Sequence, residues 1–165
     1  MFAPKNILVP TDFSEYSDRA FIKALDIAHL CNSQIFLLHI IDRTIQLFVA
    51  DYCLDNKLVE RFEHESIITS NENLQKVIKR VAESKKVKII PDVKRGIPSE
   101  EILKTQQEQE IDLIVIASHG KKGMKPSIGS VADEVVRGAR CPVLLERNRM
   151  DKQFPDAALL TSRKL

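Results

Sequence analysis

A glycine-containing loop between a buried strand and a helix is the part of this sequence best suited to chemistry. Residues 111–117 are apolar at nearly every position, as is typical of a parallel strand buried on both faces. Ser118-His119-Gly120 follows directly, and Gly129-Ser130 opens a helical stretch. In α/β proteins, the backbone N–H groups of such a loop and helix N-terminus bind phosphate groups. The pattern therefore predicts a nucleotide as the ligand.

The rest of the chain alternates between short apolar strands and amphipathic helices. The hydrophobic periodicity predicts strands at 6–10, 34–41, 87–93, 111–117 and 141–145, and helices at 16–32, 55–84, 96–110 and from residue 129. Ser14 is the expected N-cap of the first helix. Pro91 and neighbouring lysines place the third strand at or near a sheet edge. The alternation predicts an α/β fold, a single Rossmann-like domain whose five-stranded parallel sheet has helices on both faces.

Polar and small residues follow three of the predicted strands. Pro10-Thr11-Asp12 ends the first strand, Ile40-Ile41-Asp42 ends the second, and Ala117 to Gly120 follows the fourth. In open α/β sheets, ligands bind beyond the carboxyl ends of the strands, where the strand order reverses. We therefore expect these three segments to line one site.

Composition and charge argue against several classes of protein. A length of 165 residues fits one domain. Residues 147–165 carry five basic and two acidic side chains, a net charge of +3, which leaves −1 for the rest of a chain whose total is +2. A body without excess positive charge is a poor match for a nucleic-acid partner. No segment approaches the roughly 18 apolar residues of a membrane helix, so no membrane association is expected.

The cysteines and the N-terminus indicate a cytoplasmic protein. Cys31, Cys53 and Cys141 are widely separated and fit no zinc or disulfide spacing, so we interpret them as reduced thiols. The N-terminus lacks the pattern of a secretory signal peptide. Cys141, which precedes Pro142, is interpreted as a structural residue at the start of a strand.

Six short motifs, in this order along residues 3–147, resemble those of the universal stress protein family. They are Pro10-Thr11-Asp12-Phe13-Ser14, Leu38-His39-Ile40-Ile41-Asp42, Gly96-Ile97-Pro98, Ala117-Ser118-His119-Gly120, Gly129-Ser130-Val131 and Cys141-Pro142-Val143-Leu144. The resemblance implies the adenine nucleotide alpha hydrolase-like arrangement of a five-stranded sheet. It also implies a homodimer, formed by pairing the last strands at residues 142–146. The domain is accordingly assigned to residues 1–147, and residues 148–165 are interpreted as a mobile tail.

The resemblance implies ATP, with Mg²⁺ or Mn²⁺, as the ligand of a regulatory protein of the stress response. Asp12 would approach the ribose or the metal ion, and the Ile40 backbone would meet the adenine edge. The phosphates would lie on the loop and the start of the last helix. The predicted cofactor-binding residues are Pro10, Thr11, Asp12, Ile40, Ala117, His119, Gly120, Gly129, Ser130 and Val131.

The phosphate motif departs from the pattern of the family's ATP-binding branch, which leaves other interpretations open. That branch has glycine where this chain has Ala117, and nine residues, not eight, between its second glycine and the Gly-Ser or Gly-Thr pair. The alternative is a nucleotide-free stress protein that binds an unidentified protein partner through segment 42–56 or the tail. A weak ATPase is a third, lower interpretation. We predict no catalytic residues, since no catalytic set or full Walker motif is present.

Three of the polar residues also have a purely structural interpretation. Asp12 would cap the first helix or brace a turn, rather than contact a ligand. His39, at the end of a buried strand, is expected to be a hydrogen-bonded core histidine. For His119, a hydrogen bond that fixes the turn is as plausible as contact with a ligand.

Overall fold

In a computed structural model, the described residues form a five-stranded parallel sheet with two helices on each face. The structure describes residues 2–42, 56–82, 86–119 and 128–147. The sheet order is β3-β2-β1-β4-β5, which confirms the predicted α/β fold. The predictions for the insertion and the tail concern residues 43–55 and 148–165, which lie outside the described residues. The elements are β1 (Asn6–Pro10), α1 (Glu15–Cys31), β2 (Gln34–Asp42), α2 (Asn56–Ala82), β3 (Lys88–Gly96), α3 (Pro98–Glu108), β4 (Leu113–Ala117), α4 (Ser130–Gly138) and β5 (Val143–Glu146).

The central strands are buried on both faces, which accounts for their continuous apolar runs. Alternate residues of a strand point to opposite faces, and in β1 Ile7 and Val9 enter one apolar cluster while Leu8 enters the other. The first cluster lies against α1 and α2, and the second lies against α3 and α4. Two cores of this kind need helices on both sides of the sheet.

The outer strands differ from the sequence prediction in length and in burial. β3 continues to Gly96, three residues past its predicted end, because it pairs with β2 as far as Asp42. The apolar pattern does not predict the polar end of β3, because Lys94 and Arg95 form ion pairs with Glu108 and Glu63 and do not enter the core. β3 is an edge strand, as predicted. α3 covers Pro98–Glu108 and is two residues shorter at each end than the predicted helix at 96–110, since Gly96 belongs to β3.

The last strand is shorter and less buried than its apolar sequence suggested. β5 covers Val143–Glu146, and all four residues are half-buried. The prediction of a buried strand at 141–145 is therefore wrong in burial, because β5 lies at the edge of the sheet beside β4 alone. Within the described residues, no helix is both long and apolar enough to cross a membrane.

The start of α1 is fixed by the predicted N-cap. The Ser14 hydroxyl oxygen accepts a hydrogen bond from the Ser17 N–H at 3.2 Å, which satisfies one of the free N–H groups of the first turn. In the same turn, Asp18 forms an ion pair with Arg80 of α2. Burial raises the pKa of the Asp18 carboxyl group, and the Arg80 charge partly opposes that rise. This end of α1 is thereby tied to α2.

Candidate functional site

The strand order reverses between β1 and β4, and the predicted site residues lie at the carboxyl ends of these strands. From β1 the chain builds outward to β2 and β3 on one side, and β4 and β5 occupy the other side. β1 pairs with β2 through Pro10 and Leu38, and with β4 through Ile7 and Leu113. A crevice at such a reversal is the usual ligand site of an open α/β sheet.

The loop after β1 is held by hydrogen bonds among its own residues. The Thr11 N–H donates to the Leu38 carbonyl at 2.8 Å, and the Thr11 hydroxyl accepts from the Phe13 N–H at 3.1 Å. Asp12 Oδ1 accepts from the Ser14 N–H at 3.1 Å and from the Ser14 hydroxyl at 2.5 Å. The turn-bracing interpretation of Asp12 is therefore confirmed. The same bonds fix its carboxylate, which is half-buried after the carboxyl end of β1.

Phe13 adopts a backbone conformation that is rare for a residue with a side chain. Its φ is +62°, in the left-handed region. The ring packs on the His39 imidazole with centroids 4.2 Å apart, and His39 Nδ1 is 2.8 Å from the Thr11 carbonyl oxygen. His39 is thus a hydrogen-bonded structural histidine, as predicted. The contacts of Phe13 and His39 hold the loop in a conformation that costs about 1–3 kcal/mol.

β2 extends beyond the end of β1 and leaves part of its edge facing the crevice. In the described residues, the ladder between the two strands ends at Pro10 and Leu38, whereas β2 continues to Asp42. The Leu38 carbonyl points toward β1, where it accepts from Thr11. Backbone groups along a strand alternate between its two edges. Ile40, two residues further on, therefore directs its N–H and C=O to the same side, past the end of β1.

The end of β4 is joined to the start of α4 by one backbone hydrogen bond. The Gly129 N–H donates to the Ser118 carbonyl at 2.8 Å. A Cβ atom on Gly129 would lie 3.3 Å from that carbonyl oxygen and 3.8 Å from His119 Cα. Glycine fits position 129 because the backbone of Ser118 approaches so closely. The backbone conformation itself does not require glycine, since a φ of −64° suits any residue. The contribution of Ser118 was not predicted, because it is made by the backbone and has no residue-type signal.

The N-terminus of α4 has the features of an anion site. Gly129 is the N-cap and provides no side-chain hydrogen bond to the first turn. Ser130 is exposed, whereas Val131 and Ile40 both pack against the α3/α4 cluster. The N–H groups of a first turn carry a partial positive charge of roughly +0.5. This arrangement suits a phosphate group.

His119 has one ring nitrogen with a partner and one without. Nδ1 lies 3.0 Å from the Ser118 hydroxyl oxygen, so the turn-fixing interpretation is supported. Nε2 is buried and has no hydrogen-bond partner among the described residues. A buried polar atom of this kind needs a partner, and a phosphate oxygen would supply one. Both interpretations of His119 therefore fit the geometry.

Ala117 packs in the core of the protein. Ala117 is 9% exposed and belongs to the cluster beneath α1, so its methyl group is part of the core. Gly120 lies outside the described residues. The other predicted residues all lie at the carboxyl edge of the sheet, and their roles in binding remain predictions.

No metal centre formed by protein side chains alone is found in the described ranges. These residues contain no group of three or more His, Cys, Asp or Glu side chains that could hold an ion. Cys31 and Cys141 are free thiols. Burial raises the pKa of the Cys141 thiol, and a thiol that stays protonated is a weak nucleophile. The structural interpretation of Cys141 is therefore supported.

The sheet is doubly wound, and the α4 helix, which has no side-chain cap, starts where the strand order reverses. These features define a class of α/β proteins that bind ligands at the carboxyl edge of the sheet. Within this class, residues 4–147 match the family model described as the universal stress protein family. The chain belongs to the universal stress protein family.

Relatives and solved structures agree with this assignment. The chain is 33% identical to universal stress protein MJ0577 of Methanocaldococcus jannaschii over 155 residues, which cover 88% of this chain and 96% of the relative. A solved structure of MJ0577 has a TM-score of 0.76 at 27% identity and covers 90% of this chain and 99% of its own. UspA from Lactobacillus plantarum has a TM-score of 0.71 at 25% identity, with 87% and 97% covered.

Two more distant universal stress proteins were solved with bound nucleotides. One is in complex with cAMP, with a TM-score of 0.63 at 20% identity, and covers 88% of this chain and 98% of its own. The other, from Archaeoglobus fulgidus, is in complex with dAMP, with a TM-score of 0.62 at 19% identity and coverage of 87% and 98%. At these identities the two structures support the fold alone.

Proposed function

We propose that this protein binds ATP at the carboxyl edge of the sheet and regulates a stress response through nucleotide-dependent contacts with a second copy or a protein partner. The observation that carries the proposal is the N-terminus of α4. It has no side-chain cap, and the hydrogen bond between Gly129 and Ser118 holds it beside the end of β4. Two proteins of this fold were solved in complex with cAMP and dAMP, and the proposal extends the adenine nucleotide class to this chain.

The proposed site assigns one part of the nucleotide to each strand end. The Ile40 backbone faces the crevice beyond Pro10, where it would read the adenine edge. The N–H groups at Gly129, Ser130 and Val131 would hold phosphate oxygens, and Gly120 and His119 Nε2 would add donors. Mg²⁺ or Mn²⁺ would arrive with the phosphates and bind near Asp12, since phosphates and one carboxylate suffice for such an ion.

Replacement of Asp12 separates its structural role from its role in binding. Asp12→Asn keeps an oxygen that can accept from Ser14, whereas Asp12→Ala removes it. We expect both variants to bind ATP–Mg²⁺ at least about tenfold more weakly, because both lose the charge that attracts the metal ion. Only Asp12→Ala should unfold more easily, by about 1 kcal/mol, through loss of the turn.

Calorimetric titration with ATP and Mg²⁺, together with urea unfolding, would check this expectation. A titration without metal ion is the control, because the difference between wild type and Asp12→Asn should shrink there. Wild-type affinity in Asp12→Asn, with loss only in Asp12→Ala, would show that Asp12 does no more than brace the turn.

The second candidate is a nucleotide-free interaction protein, and the observation that favours it is the methyl group of Ala117. If this methyl group closes the site, Ala117→Gly should raise the affinity for ATP. The burial of Ala117 in the cluster beneath α1 argues otherwise. We expect Ala117→Gly to leave ATP affinity within about twofold of wild type and to destabilise the fold by about 0.5–1 kcal/mol, since glycine weakens a strand interior. A rise in affinity of tenfold or more would favour the nucleotide-free candidate.

The remaining parts of the proposal concern assembly, location and turnover. We propose a homodimer paired through residues 142–146, and the half-buried edge position of β5 supports it. We also propose a cytoplasmic location, which the free thiols of Cys31 and Cys141 support. ATP is proposed as a regulatory ligand rather than a substrate, with slow hydrolysis at most.

A further inference from the structure

A basic groove lies at the amino-terminal edge of the sheet, at the opposite end of the strands from the proposed nucleotide site. It has a volume of about 870 Å³, within the range of small-molecule sites. It is formed where β1, β2 and β3 begin, at Asn6, Gln34 and Lys88, and where α1 ends. Its lining residues include none from α3 or α4, so the groove is separate from the phosphate-binding turn.

Among the described residues, lysine ammonium groups outnumber carboxylates around the groove. Lys5, Lys86 and Lys88 line it together with His29, and its ten lining residues include no Asp or Glu. In the described part of the chain, the three ammonium groups form no ion pair. On other surfaces, Lys94 and Lys104 do form ion pairs with an acidic partner.

The negative ends of the helix dipoles offset only part of the positive charge of the lysines. Helices of a parallel sheet run opposite to the strands, so α1 and α2 both end at this edge. Each helix C-terminus carries roughly −0.5 of a charge, or about −1 for the two, and the Asp112 carboxylate beside Lys5 adds −1, against +3 for the lysines. A positive field remains in the groove after the dipoles are counted.

Two of the residues that line the groove, Asn6 and Gln34, are held by hydrogen bonds of their side-chain amides. Gln34 Nε2 donates to Asn6 Oδ1 at 2.9 Å, and Asn6 Nδ2 donates to the carbonyls of Gln109 and Glu110 at 3.2 Å each. The Asp112 carboxylate accepts from the Lys5 and Asn6 N–H groups at 2.8 and 2.9 Å. The backbone that carries Lys5 is thereby held in place at the rim.

We propose that this groove is a second anion-binding site, which takes a small, multiply charged molecule of the phosphate class. Three ammonium groups around a polar cleft match the several charges of such a ligand, since lysine binds phosphate as a point charge. The proposal does not depend on ATP binding at the carboxyl edge.

Inorganic tripolyphosphate is a suitable probe, followed by amide NMR spectra and calorimetry of the whole chain. We expect saturable shifts at Asn32, Gln34 and the Asn6 side chain, without shifts of comparable size and affinity at Ser130 and Val131. Lys5→Gln with Lys88→Gln should weaken binding at the groove at least about tenfold. The control is Lys23→Gln with Lys76→Gln, which removes the same charge from two exposed lysines outside the groove. This control variant should change the affinity for tripolyphosphate less than twofold.

Three results would overturn the proposal. Equal loss of affinity in the two charge-matched variants would indicate a general charge effect. Shifts confined to the start of α4 would place tripolyphosphate at the nucleotide site alone. Shifts that do not saturate would indicate non-specific attraction. Failure of ATP to bind would leave the groove proposal intact, because binding at the groove is measured by the NMR shifts of the groove's own amide groups.

Discussion

Gly129→Trp is expected to reduce the affinity for ATP by at least about 100-fold while the fold is retained. A side chain at Gly129 begins 3.3 Å from the Ser118 carbonyl oxygen, and an indole ring has to extend into the space before α4. It would displace the phosphates from the N–H groups of the first turn. Loss of two charge-assisted hydrogen bonds, each worth about 1.5–3 kcal/mol, accounts for an effect of this size.

A graded series and a matched control distinguish this effect from misfolding. Gly129→Ala adds only one methyl group at an ordinary φ of −64°, so its loss of affinity should be smaller than that of Gly129→Trp. Val136→Trp places the same indole on α4 at a position that is 46% exposed, and should bind ATP like wild type. Circular dichroism and thermal unfolding would show whether each variant folds. Unchanged ATP affinity in folded Gly129→Trp would show that the phosphate site has been misplaced.

Phe21→Ala is expected to have the largest effect on stability, a loss of about 3–5 kcal/mol. Phe21 is fully buried on α1, in the cluster that also holds Ile7, Leu25 and Val115. Removal of the ring leaves a cavity between α1 and the sheet, and both the lost burial and the cavity reduce the free energy of unfolding. Urea denaturation should show a lower midpoint with an unchanged m-value.

Ile22 is the matched control for Phe21. It is the next residue on the same helix and is 46% exposed, so Ile22→Ala should change the free energy of unfolding by about 0.5 kcal/mol or less. Similar losses in both variants would contradict the packing of α1 on the sheet. The position of the first loop depends on that packing, because Ser14, two residues after Asp12, is the N-cap of α1 and accepts from Ser17.

Much of the fold could be predicted from sequence because its central strands are buried on both faces. Continuous apolar runs such as Ile35 to Leu38, separated by segments with a helical period, are typical of buried parallel strands. Local signals also worked where the chemistry is local, as for the Ser14 cap and the edge position of Pro91. The prediction was less accurate at the outer strands. Lys94 and Arg95 show neither an apolar run nor an alternation that indicates a strand, and the apolar run of β5 does not reveal that the strand lies half-buried at the sheet edge.

The site could be predicted only as far as residue types carry information. Asp12, Gly129 and Ser130 are recognisable because carboxylates, glycines and helix N-termini have chemical preferences. The position of the Ser118 carbonyl, which accepts from the Gly129 N–H, depends on strand lengths and backbone directions. The same is true of the edge of β2 at Ile40, beyond the end of β1. Propensity does not encode these features, and the proposed contact of Ile40 with the adenine edge comes only from the family resemblance.

Calorimetric titration of the purified chain with ATP and Mg²⁺ tests the central claim most directly. Mass spectrometry should first establish whether a nucleotide is carried through purification. The proposed site predicts saturable binding of one ATP per chain, lost in Gly129→Trp and retained in Val136→Trp. No heat of binding from a chain free of co-purified nucleotide would contradict the claim, and would favour a nucleotide-free protein that acts through its partners.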